Sequence, residues 1–183
     1  DTGPTGDRQA GAGAPDPVFV SDLPPYQRQE SPMDATQKLV ELEALKQLKA
    51  SYFYFMDTKQ WDSWLALFAA DVTLSWDTEV STRGRDGGTN SFSGREAIAE
   101  HVVKGILDPA TTVHQGHTPL LEILSETEAR GIWAMEDIVY ANSHRRSVVH
   151  GWGHYHETYR KEDGAWKITS LHLTRLLLMD SKL

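Results

Sequence analysis

The sequence predicts an α+β domain in which helices come first and a mainly antiparallel sheet follows. Two observations carry this. Leu39, Leu42, Leu45, Leu48 and Tyr52 recur at helical spacing near the start of the domain. The last stretch, from His114 onward, instead holds four β-rich segments separated by short turn signals, the pattern of a meander. About three N-terminal helices against a strongly curved sheet of this kind would make a cone-shaped barrel, and a cone encloses a pocket.

Each element has its own signal. Residues 1–32 are rich in Gly, Pro, Asp and Ala and carry too little apolar surface to offset their ordering entropy. They are expected to be a flexible tail on a domain spanning 33–183, with Met33 a candidate natural start. Residues 35–56 read as a long amphipathic helix. A second helix is expected over 59–69, with Trp61, Trp64, Leu65 and Phe68 on one side. "DVTLSW" (71–76) alternates like a strand and runs into a polar, Gly-rich loop over 77–94. "REAIAEHVVKGI" (95–106) predicts the third helix, closed by "LDP". The four strands are "VHQGHTPLLEIL", "EARGIWAMEDIVY", "SVVHGWGHYHETYRK" and "AWKITSLHLTRLLLM", with turns at "SET", "NSHRR" and "EDG".

Bulk properties exclude several function classes. A chain of 183 residues suits one domain with a real core. The net charge of −8, without any Lys/Arg cluster, argues against nucleic acid as a partner. No apolar run approaches the roughly 20 residues of a membrane span. The absence of cysteine removes disulfides, zinc–thiolate sites and a thiol nucleophile, and fits a cytoplasmic setting.

Two places could carry chemistry. In "YFYFMDTKQWDSW", Asp57 follows an aromatic run. It is either a helix N-cap, with Gln60 three residues on as in a capping box, or a site carboxylate, and the two roles are compatible. In "TVHQGHTP", His114 and His117 open the sheet. Either is a satisfied edge residue or a general base, since imidazole accepts a proton near neutral pH. A carboxylate on its other nitrogen would fix the tautomer and stabilise the imidazolium, which makes Asp57 the natural partner. On "HGWGHYHETY", His150, Trp152, His154 and His156 share one face, opposite Gly151, Gly153, Tyr155 and Glu157. His172 could join the histidines, but no convergent ligand set is visible and no metal site is expected. The serines lack a nucleophile elbow, and "RGRDGG" lacks the context of a phosphate cradle. Glu136 and Asp137 adjoin on a strand, point to opposite faces and cannot form a carboxylate pair.

The ordered set "LKASYFYFMDTKQWDSWLALFAADVTLSW", "FSGREAIAEHV", "TVHQGHTPLLEI", "GIWAMEDIV" and "GHYHETYRKEDGAWKI" resembles the SnoaL-like branch of the nuclear-transport-factor-2-like superfamily. Within it, the chain looks most like the group of scytalone dehydratase, hexachlorocyclohexane dehydrochlorinase and bile-acid 7α-dehydratase. The resemblance implies the cone-shaped α+β barrel and elimination without a cofactor. It also implies an aspartate–histidine pair, matched here by Asp57 and His114. Scytalone dehydratase has a tyrosine where Met56 stands, a second pocket tyrosine at Trp76, and a second histidine near Val139. Tyr54 and Tyr155 are the candidate replacements. A pocket of Phe53, Tyr54, Trp61, Trp76, His117, Trp133 and Tyr155 then suggests a bulky apolar or aromatic substrate. The expected activity is a lyase, by dehydration or by formaldehyde-releasing retro-aldol cleavage. The alternatives are an isomerase or polyketide-type cyclase using the same base, and a non-catalytic binding or dimerisation module. A homodimer or homotrimer is expected, because Trp152 lies on a broad outer sheet face.

Overall fold

The computed structural model describes residues 33–82, 87–141 and 147–182. The expected tail and the "NSHRR" turn lie outside the described residues. Helix α1 (Ala35–Asp57) starts on Asp34, whose carboxylate accepts the Gln37 N–H at 2.8 Å. It buries Leu45, Lys49, Tyr52 and Met56, a stripe at three- and four-residue spacing. The helix ends at Asp57, and Lys59 turns the chain at φ 62°.

Helix α2 (Trp61–Leu65) is shorter than the expected 59–69. Phe68, expected in that helix, instead opens strand β1 (Phe68–Asp77), its buried ring edge-on to Trp64 at 4.8 Å. Strand β2 (Thr89–Ser93) pairs antiparallel with β1 inside the segment read as loop. It is mostly exposed, so no apolar alternation marks it. The third helix begins as α3 (Arg95–Ala97) and continues as a π-helix over Ile98–Leu107. Its wider winding puts Ile98, Val102, Val103 and Leu107 on the buried side, at spacings of four to five residues.

Strands β3 (Ala110–Ile123), β4 (Glu128–Ala141), β5 (Ser147–Glu162) and β6 (Ala165–Lys182) form the expected meander. The β5–β6 turn is Asp163–Gly164, both at positive φ (50° and 81°), as a two-residue hairpin turn demands. The sheet order is β2-β1-β6-β5-β4-β3, with β1 and β6 parallel and the other pairings antiparallel.

This corrects the cone-shaped barrel. The sheet is mixed and open, with β2 and β3 as its edges, and it is neither closed nor strongly curled. A physical reason is visible at β3, whose His114 N–H meets a side-chain carboxylate of α1 at 2.8 Å instead of another strand. The α+β class and the helices-first order stand. Alternation buries Trp133, Met135 and Asp137 of β4 and Gly151, Gly153, Tyr155, Glu157 and Tyr159 of β5 on the face towards α1. Among the described residues, no helix is long and apolar enough to cross a membrane.

Candidate active site

Asp57 does not cap α2; that position belongs to Gln60, which makes no side-chain cap bond. Asp57 is instead the last residue of α1, and its carboxylate turns onto β3. Oδ2 accepts the His114 backbone N–H at 2.8 Å, and Oδ1 lies 2.7 Å from His114 Nδ1. Thr112 Oγ1 donates to Oδ1 at 2.9 Å. The carboxylate thus holds one residue by both main chain and ring. The His114 side chain is 6% exposed and that of Asp57 23%. With the Nδ1 proton donated to the carboxylate, Nε2 carries the lone pair.

Lys59 completes the cluster. Its Nζ donates to the Leu107 carbonyl at 2.8 Å and to Thr112 Oγ1 at 3.2 Å, tying the end of α1 to the π-helix and β3. Burial lowers the Lys59 pKa, and the charges of Asp57 and Asp108 oppose that shift.

Aromatic rings form the adjoining wall. Phe53 packs so closely on Gly116 that a Cβ there would sit 2.5 Å from its ring. Tyr52 stands edge-on to Phe53 at 5.4 Å and to Tyr155 at 6.0 Å. Burial raises the pKa of both tyrosines, and the Glu157 and Asp137 charges push the same way. Both therefore remain protonated donors. Lys49 and Glu157 form an ion pair with side chains 1% and 0% exposed. Glu157 also accepts from Tyr159, whose hydroxyl accepts Trp133 Nε1–H at 2.8 Å. Lys49 Nζ lies over the Tyr155 and Tyr52 rings, 3.7 and 4.1 Å from their centroids. Burial lowers the Lys49 pKa, with Glu157 opposing.

Asp57, His114, Phe53, Trp133 and Tyr155 thus lie along one interior face. The other expected pocket residues do not join them. Tyr54 is 60% exposed, on the outer side of α1. His117 is exposed in the irregular stretch of β3 between Gly116 and Pro119. Trp61 donates to Asp108 at 2.7 Å, packs on Trp64 and reaches the cluster only through Lys59, whose Nζ lies 5.2 Å from its ring centroid, while Trp76 stacks on Phe92 at 5.6 Å. Among the described residues, no group of three or more His, Asp or Glu is placed to hold a metal. The outer histidines have other partners: Glu136 for His150, Thr174 for His156, and Ser75 for His172.

Sequence reasoning missed Thr112, Lys59, Lys49 and Arg175. Lys49 and Arg175 had a signal, since each is a charge at an inward-facing position, one on the α1 stripe and one on β6. Arg175 forms a two-pronged pair with Asp137, both contacts 2.9 Å. Glu136 and Asp137 do point to opposite faces, but Asp137 has this cation as its partner.

The SnoaL-like domain model matches residues 37–172, a span that contains both Asp57 and His114. A Gibberella zeae protein named probable cyclase FGR4 is 28% identical over 137 residues, covering 72% of this chain and 89% of that one. A crystal structure from Novosphingobium aromaticivorans DSM 12444, of a protein named for scytalone dehydratase, superposes with a TM-score of 0.64 at 23% identity. It covers 80% of this chain and 91% of its own. The hexachlorocyclohexane dehydrochlorinase LinA-type3 of Novosphingobium barchaimii LL02 gives 0.61 at 20% identity, over 80% of this chain and 92% of its own. At such identities the structures share the fold, while the family match extends along the sequence from α1 into β6. The chain belongs to the SnoaL-like domain family.

Proposed function

We propose that this protein is a cofactor-free lyase acting on a bulky apolar or aromatic small molecule, with His114 as the base. The observation that carries the reading is the double hold of Asp57 on His114, by ring and by backbone. It fixes the imidazole with Nε2 free to take a proton, and the carboxylate stabilises the imidazolium that forms. Departure of water, or of formaldehyde in a retro-aldol step, follows. Tyr155, held protonated beside Phe53, is the candidate to assist the leaving oxygen. Tyr54, exposed, is not. The names of the dehydratase and the dehydrochlorinase that share the fold support elimination.

The Gibberella zeae relative favours a second reading, an isomerase or cyclase that uses the same base and returns the proton. A binding module without chemistry is disfavoured, because a cradle for ligand alone has no need of a 2.7 Å contact between carboxylate and imidazole.

The test is a mass-resolved turnover screen against aromatic, steroid and lignin-dimer alcohols. It would compare wild type with His114→Ala and Asp57→Asn. A product lighter by water or formaldehyde, with turnover reduced at least about 10²-fold in both variants, is expected. Equal mass with altered retention moves the reading to isomerase or cyclase. His114→Ala retaining more than about a tenth of the rate removes it from the base role.

A further inference from the structure

Two residues other than glycine take a positive φ among the described residues, and one of them, Asp163, sits in the tight β5–β6 turn. The other is Lys59, at φ 62° just beyond the end of α1. Its N–H donates to the Met56 carbonyl at 3.2 Å, and that of Gln60 to the Phe55 carbonyl at 2.8 Å. This pair of bonds closes a helix on a left-handed residue. Glycine is the residue suited to that position, since any Cβ adds strain there. A lysine in its place points to a use for the side chain.

Lys59 is half-buried, and its Nζ donates to the Leu107 carbonyl at 2.8 Å, which fastens the end of α1 to the π-helix. The second bond, to Thr112 Oγ1 at 3.2 Å, is one that a fastening alone does not need. An ammonium can only donate, so the hydroxyl must accept from it. The single hydroxyl proton is left for Asp57 Oδ1, at 2.9 Å, the oxygen that also faces His114 Nδ1 at 2.7 Å. Oδ2 is taken by the His114 backbone N–H at 2.8 Å. Every proton of the chain thus points at the carboxylate, and none of these bonds suits a protonated Asp57.

We infer that Lys59 is a positioning residue for the base: acting through Thr112, it holds Asp57 ionised and so keeps the Nε2 lone pair of His114 available. The inference rests on the reading of His114 as the base and deepens it. Burial works against the Lys59 ammonium, and the Asp57 and Asp108 charges offset that. The other groups around the pair have partners of their own. Asp108 accepts from Trp61 at 2.7 Å, and Asp137, opposite His114 in the β3–β4 register, is held by Arg175. Tyr52, which the Asp57 charge also reaches, is kept neutral by burial. Removing the Lys59 cation leaves the Asp57–His114 pair more negative. The imidazole then keeps its second proton to higher pH.

The test follows the His114 ring by carbon NMR through a pH titration of wild type, Lys59→Met, Lys59→Gly and Lys59→Arg. Its resonance is assigned by its absence from His114→Ala. The titration midpoint is expected to rise by about half a pH unit in Lys59→Met and Lys59→Gly, the order of one charge acting across a hydroxyl in a half-wet site. Lys59→Arg, which keeps the cation, should titrate like wild type. Urea unfolding separates this from a structural role. Lys59→Gly relieves the left-handed backbone while losing the Leu107 bond, so it should keep about the wild-type urea midpoint as its titration moves. A His114 midpoint that is unchanged or lower in the methionine and glycine variants overturns the inference. So does an arginine variant that titrates like Lys59→Met. A glycine variant that unfolds at lower urea with its His114 titration unmoved would make Lys59 a fastening only. The titration needs no substrate, so loss of the base role would appear separately, as turnover persisting in His114→Ala.

Discussion

Thr112 gives its proton to the same Asp57 oxygen that faces the His114 ring, and it receives one from Lys59. It touches no reacting atom, so it is a positioning residue whose worth lies in the angle at which the carboxylate meets the imidazole. Thr112→Val should lower kcat about tenfold with KM little changed, the scale of one lost hydrogen bond at a partly buried acceptor. Thr112→Ser should restore most of it, and steady-state kinetics on the three proteins would check this. A merely structural threonine would tolerate valine better than serine. At this scale Asp57 and the His114/His117 pair stood out as candidates in the sequence, and it was the family resemblance that singled out His114 as the partner of Asp57. Thr112 was not legible. Its hydroxyl matters only because β3 alternation puts it beside His114 on one face.

Among the elements, α1 carries the least ordinary choice, a lysine inside its apolar stripe. Lys49 is tolerable only because β5 brings Glu157 opposite it, with the Tyr159 hydroxyl donating to the same carboxylate and accepting in turn from Trp133. Lys49→Met should cost about 3–5 kcal/mol, since it strands a buried carboxylate, while Lys49→Met/Glu157→Leu should recover most of that loss. Urea unfolding of both single variants and the double variant measures the coupling directly. The helical stripe and the long strands were readable because their periodicity is dictated by burial. Strand β2 and the shortness of α2 were not. The first has no buried side to pattern it, and the second ends where Phe68 enters the sheet, a choice made by packing rather than by propensity.

For the whole molecule, acid should weaken the fold through the outer sheet face. His156 has its pKa lowered to about 4, first by burial and then by the neighbouring His172 and His154, with Asp77 partly opposing. A folded-state pKa below the usual 6.5 means that the unfolded chain binds the proton more readily. The contribution is therefore complete above pH 6.5 and is lost as pH falls towards 4. His156→Gln should flatten that part of a plot of urea midpoint against pH; an unchanged slope would assign the loss to other groups. The open sheet was the part of the architecture that the sequence concealed. Segment order and alternation specify neighbours, but whether the last edge closes depends on what meets it. Here Asp57 meets it, taking a main-chain proton from β3 that another strand could otherwise claim. An unpaired edge is the usual template for fibrous self-assembly. The residue proposed for chemistry therefore also withdraws one edge amide from such pairing, a role that does not depend on the reaction.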